Sequence, residues 1–120
     1  RVLDLIEEFD LLKQAAKPIE ALSRGQRYKA ALISLILIDP ELWLLDEPFA
    51  SGMDPRGISA FKRYAMDATQ RGRTVIYSTQ LVELATSFSS QIWILGDGSI
   101  LEQGAAGEID WESPKLHNIR

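Results

Sequence analysis

The chain has 120 residues, 46% apolar and 25% charged, the make-up of a single globular domain at most, which excludes a disordered chain. Its formal charge of −4 comes with no block of like charges, so net electrostatics argue against a nucleic-acid or lipid surface. With no cysteine, disulfide frameworks and thiolate metal sites are excluded, a composition compatible with a reducing compartment.

Val2, Leu3, Ile6 and Phe9 recur at helical spacing among Glu7, Glu8 and Asp10, so the first dozen residues are expected to form an amphipathic helix that Pro18 ends. From Arg24 to Ile38 the pattern is helical with apolar residues on most sides, which predicts a helix covered nearly all round. Its longest apolar stretch, Ala30 to Ile38, stops at Asp39-Pro40 and is far short of the roughly 20 residues a membrane span needs. Leu42 to Leu45 is a continuous apolar run leading to acids, the pattern of a strand buried on both faces in a parallel sheet. Asp54-Pro55 opens a helix as cap and first-turn residue, with Ile58, Phe61, Ala65 and Ala68 on one face and Gly72 beyond the end. A second buried strand at Thr74 to Tyr77, a short helix at Leu81 to Phe88 and a third strand at Gln91 to Leu95 follow. Asp97-Gly98 is a hairpin signal leading to Ser99-Ile100-Leu101-Glu102, and the tail after Gly107 has no clear period. The alternation is that of an α/β protein with a mostly parallel sheet.

Three segments carry candidate chemistry. Ser23-Arg24-Gly25-Gln26 opens the second helix as a Ser-x-x-Gln capping box. Gly25, with no side chain, also leaves the N–H groups of a positive helix end open to a phosphate. Asp46-Glu47 follows a strand, so both carboxylates emerge at the C-terminal sheet edge, where open α/β folds bind ligands. Ser51-Gly52-Met53-Asp54 reads as a turn and helix cap.

In order and spacing, Leu22 to Gln26, Leu42 to Pro48 and Ser51 to Asp54 resemble the signature motif, Walker B strand and D-loop of an ATP-binding cassette (ABC) ATPase. The resemblance covers about residues 1 to 107, with 1–22 matching the end of a helical subdomain, 23–107 the C-terminal part of the ATPase core, and 108–120 a tail. It implies a partial P-loop NTPase-type α/β sheet with flanking helices that lacks the phosphate-loop strand. No Gly-rich loop ending in Lys-Ser/Thr is found; the nearest spacing, Gly52 to Gly57, is followed by Ile58-Ser59. The chain is therefore expected to be the C-terminal half of a cassette, cut off upstream, and to bind ATP weakly and hydrolyse none when alone. A sheet missing a strand is expected to rearrange, to swap strands between copies, or to borrow a strand from a partner fragment.

The resemblance also implies roles. Ser23, Arg24, Gly25 and Gln26 would grip the γ-phosphate of ATP held on an opposite subunit, with Arg24 standing where Gly is often found. Asp46 would help hold Mg²⁺ and Glu47 would polarise the attacking water, while Ser51, Gly52, Met53 and Asp54 would run along a dimer seam. The family usually has His where this chain has Gln80, and an amide cannot titrate near neutral pH. His117 is incidental, Trp43 and Trp93 are packing residues, and Trp111 is a tail anchor or partner contact. The implied partners are a second cassette, identical or not, and membrane-spanning transporter subunits; no nucleic acid is expected, and the location is cytoplasmic and peripheral to the membrane. Three functions remain open: a transporter ATPase subunit, a degenerate cassette with a regulatory or structural role, and a non-transport cassette protein.

Overall fold

A computed structural model describes residues 1–50 and 52–117; Ser51 of the expected D-loop and the end of the tail, 118–120, lie outside the described residues. The chain divides into two compact units, one spanning Arg1–Gln80 and the other starting at Leu81.

In the first unit, α1 (Val2–Glu8) is shorter than the expected dozen residues. Asp10 adopts a left-handed φ of 59°, its N–H donates to the Glu7 carbonyl and the Leu11 N–H donates to the Ile6 carbonyl, closing the helix in a Schellman turn over the buried Leu11. Two single 3₁₀ turns, Leu12–Gln14 and Ile19–Ala21, lead to α2 (Arg24–Ile38), which ends at Asp39 in a left-handed cap just before Pro40. Strand β1 (Leu42–Asp46), helix α3 (Pro55–Gln70) and strand β2 (Thr74–Ser78) complete the unit. The two strands pair in parallel with Leu42 opposite Thr74 and Asp46 opposite Ser78. The α3 start matches its sequence signal, with Asp54 as cap, Pro55 in the first turn, and Gly72 at φ 88° past the end.

The core of this unit lies on one side of the strands. Trp43 and Phe61 are fully buried, Phe49 meets Phe61 edge to face at 5.6 Å and Tyr77 at 5.3 Å, and Leu5, Phe9 and Leu32 fill the space among the helices. Two expectations of burial need correcting. Neither β1 nor β2 is buried on both faces: Leu42, Leu44 and Ile76 on the opposite side are exposed, Leu44 by 73%. Side chains alternate across a strand, so a pair of strands packed against helices on one face leaves every second residue open. Likewise α2 buries Lys29, Leu32, Ile33 and Ile36 but exposes Leu37 and Ile38, because α1 and α3 approach only one stripe of it.

In the second unit, α4 (Val82–Phe88) precedes the antiparallel hairpin β3 (Gln91–Gly96) and β4 (Ser99–Ala105). Asp97 and Gly98, both at positive φ, form the expected turn, of the mirror-image kind that suits strand twist. Strand β4 runs three residues past the expected Glu102, and the parallel pairing expected of a continuous sheet is confined to β1 and β2. The tail forms a 3₁₀ turn at Ala106–Glu108 and a short α5 (Pro114–His117), with Ile109 and Ser113 buried.

Candidate functional site

The start of α2 is built as its sequence dictates. Ser23 Oγ accepts the Gln26 N–H at 3.1 Å and Gln26 Oε1 accepts the Ser23 N–H at 2.9 Å, a complete capping box. The carboxamide oxygen of Gln26 is thus committed to the helix itself, while Ser23 and Arg24 are exposed. Gly25 is buried for a different reason: a Cβ there would stand 2.2 Å from the carbonyl oxygen of Gly52, so the loop before α3 and the start of α2 touch backbone to backbone. Gly52 takes φ 79°, in the region glycine occupies without cost.

At the ends of the strands the two acids sit in different settings. Asp46 Oδ1 accepts a short hydrogen bond, 2.5 Å, from Ser78 Oγ on the neighbouring strand. That same hydroxyl oxygen accepts the Glu47 N–H at 3.2 Å, which is also shared with the Ser78 carbonyl at 3.0 Å. Glu47 leaves the strand with φ 48°, a left-handed conformation rare for a non-glycine residue and of the kind that gathers at functional loops. Its Oε1 accepts the backbone N–H of Gln80 at 2.6 Å. Gln80 therefore meets Glu47 through its main chain, and this contact is open to any residue but proline at the position.

Two neighbouring residues of α2 reach across to these loops. Tyr28 Oη donates to the Asp46 carbonyl at 2.9 Å. Lys29, only 5% exposed, places Nζ 3.0 and 3.1 Å from the two carboxylate oxygens of Asp54. Asp54 in turn accepts the Gly57 N–H at 2.8 Å as the cap of α3. The Gly57 N–H, and after it the Lys29 ammonium, hold the Asp54 carboxyl below the ordinary carboxylate range.

The structure thus gathers the signature-like residues Ser23 to Gln26 against Gly52 to Asp54, and separately gathers Asp46, Glu47 and Gln80 with Ser78, all in the first unit. Ser78, Tyr28 and Lys29 were missed by reading the sequence. A lone lysine on an otherwise apolar helical stripe was the one available signal among them. His117, expected to be incidental, is exposed and faces Glu112 at 3.9 Å.

Among the described residues no group of three or more His, Cys, Asp or Glu side chains converges into a cage for a metal. Asp46, exposed at the strand end with one carboxylate oxygen on Ser78, offers a hard oxygen donor that fits a cation such as Mg²⁺, which binds through one or two carboxylates and leaves its other positions to water and substrate phosphates.

Comparison with known proteins converges on one family. The profile of the family described as ABC transporter matches residues 1–50. The energy-coupling factor transporter ATP-binding protein EcfA of Methanosphaera stadtmanae is 35% identical over 109 residues, covering 91% of this chain and 39% of its own length. The nickel import ATP-binding protein NikO of Rhodobacter capsulatus is 34% identical over 123 residues, covering 100% of this chain and 48% of its own. A solved ATP-binding subunit of an ABC transporter superposes with a TM-score of 0.81 at 27% identity, over 88% of this chain and 43% of that one. The chain spans less than half the length of these relatives.

Proposed function

This chain belongs to the ABC transporter family of ATP-binding proteins, and from that premise we propose that it forms the C-terminal part of a subunit that couples ATP binding and hydrolysis at a cassette dimer interface to transport. Residues 1–22 are read as the end of a helical subdomain, 23–107 as ATPase core and 108–120 as a tail. The observation that carries the proposal is the placement of a phosphate-suited helix start, Ser23 to Gln26, and a carboxylate pair, Asp46 and Glu47, on neighbouring loops of one unit.

Phosphoryl transfer to water asks for positioning and charge neutralisation more than covalent chemistry. The Ser23 hydroxyl and the first turn of α2, at the positive end of the helix, offer donors to the γ-phosphate of ATP bound on an opposing subunit. Glu47, held by the Gln80 N–H, orients a water for attack. Asp46, steadied by Ser78, would help hold Mg²⁺, which would supply charge neutralisation to the phosphates. The partners are a second cassette and membrane-spanning subunits. No helix among the described residues is long and apolar enough to cross a membrane.

ATP turnover by the full-length protein tests this, comparing natural Gln80 with Gln80→His and Glu47→Gln. Turnover that survives with Gln80 and is lost in Glu47→Gln is expected; turnover indifferent to Glu47→Gln overturns the assignment. One observation favours a second reading: Gln80 stands where the family usually has a titratable His, and turnover only in Gln80→His would make the natural protein a hydrolysis-poor regulatory or structural cassette.

A further inference from the structure

Lys29 is a buried cation with no part in the chemistry above. Its Nζ lies between both oxygens of Asp54, at 3.0 and 3.1 Å, and its side chain is 6% exposed. A lysine is almost never this buried unless paired, because an unpaired ammonium out of water is costly. The fold makes room for it. A Cβ on Gly57 would come within 2.8 Å of Lys29 Cε, so the first turn of α3 is stripped of bulk where the lysine stem passes. One turn earlier on α2, the Gly25 backbone meets Gly52 with no space for a methyl group.

We propose that Lys29 is a positioning residue: its ion pair with Asp54 locks the phosphate-gripping start of α2 to the seam loop Gly52–Asp54, so that both present to an opposing subunit as one rigid edge. This rests on the dimer-interface reading given above. Two loops that must meet a partner's nucleotide together gain from being fixed beforehand, since ordering them at the moment of association would be subtracted from affinity. The Gly25–Gly52 contact sets how close the loops lie, and the ion pair sets their angle about that contact. A charged pair adds direction, because the ammonium must find both carboxylate oxygens.

The test uses the full-length protein carrying Glu47→Gln, so that bound MgATP persists, and measures three quantities: MgATP affinity of the monomer, MgATP-dependent dimerisation, and thermal stability. Lys29→Met is expected to weaken dimerisation about tenfold or more while monomer affinity for MgATP moves by less than about threefold. The double variant Lys29→Met/Asp54→Asn, in which an uncharged amide faces the new methionine side chain and can still cap α3, is expected to recover the melt and still dimerise weakly. Dimerisation within about threefold of the parent in Lys29→Met, or recovery of dimerisation in step with the melt in the double variant, overturns the positioning role. A parallel fall of monomer affinity and dimerisation overturns it as well. If the unmodified protein does not dimerise with MgATP, the interface reading itself fails, a result distinct from the others.

Discussion

Gln80 donates its backbone N–H to Glu47 Oε1 at 2.6 Å, and Glu47 reaches that bond from a left-handed backbone position at the end of β1. The carboxylate is held by main chain, so the side chain at position 80 is free to vary without releasing it. Gln80→Ala is therefore expected to change unfolding free energy by no more than about 0.5 kcal/mol, as for other exposed substitutions. Urea unfolding checks this, and a loss above about 1 kcal/mol would show that the carboxamide carries structure.

Ser78 offers one hydroxyl to two neighbours, donating to Asp46 and accepting from Glu47. Ser78→Ala leaves Asp46 free to turn away from a cation, and outer-shell partners of this sort are worth about 10-fold or more in metal affinity. In the full-length protein the free Mg²⁺ needed for half-maximal turnover should rise by about that factor. An unchanged Mg²⁺ titration would remove Ser78 from the site.

Gly25→Ala must move backbone, since the new methyl would sit 2.2 Å from the Gly52 carbonyl oxygen. The expected cost is about 1–3 kcal/mol, as for other overpacked sites, with MgATP-dependent dimerisation lost beyond what that destabilisation explains. Gly107→Ala, where a Cβ meets nothing within 4 Å, serves as the control and should be close to neutral. Denaturant unfolding of the two variants separates these outcomes.

Asp39 joins the end of α2 to the segment after α3. Its carboxylate accepts from Arg71 at 2.6 and 3.1 Å and from Arg73 at 3.2 Å, and these hydrogen bonds, Arg71 first, lower its pKa to about 2. A carboxylate depressed in the folded state contributes stability above its unfolded pKa that is lost as pH falls through the folded one. The contribution should be whole above about pH 4 and fade toward pH 2, the interval between the ordinary 3.8 and the folded value. Asp39→Asn, which tolerates the left-handed φ of 51°, should be less stable than the parent at neutral pH and converge with it in acid. Parallel acid-unfolding curves would show that the charge at this corner contributes nothing.

Much of the local architecture was legible. The Ser23–Gln26 capping box, the Asp54-Pro55 start of α3 and the Asp97-Gly98 turn each arise from residues a few positions apart, and each formed where the sequence put it. The shortened α1 was not, because Asp is an infrequent left-handed cap and nothing around Asp10 announces one. Burial was overestimated for β1, β2 and α2, since an apolar run states that a face can be covered and says nothing about what covers it. Within the site, Asp46 and Glu47 could be picked out by their place after a strand. Ser78 and Tyr28 could not, because their importance lies in the parallel register that sets Ser78 opposite Asp46 and in a helix crossing that brings Tyr28 Oη to the Asp46 carbonyl, both long-range facts.

Trp43 and Trp93 were read from the sequence as packing residues, yet their surroundings differ sharply. Trp43 in the first unit is 1% exposed, and its indole Nε1 has no hydrogen-bond partner among the described residues, whereas Trp93 in the second is 60% exposed. The molecule therefore carries intrinsic fluorophores of contrasting colour. Trp43 should emit in the blue and resist acrylamide or iodide, and Trp93 should emit further to the red and be quenched readily. With Trp111 replaced by Phe, the two emissions can be followed in the same cuvette, and each unit reports its own melting without any attached dye.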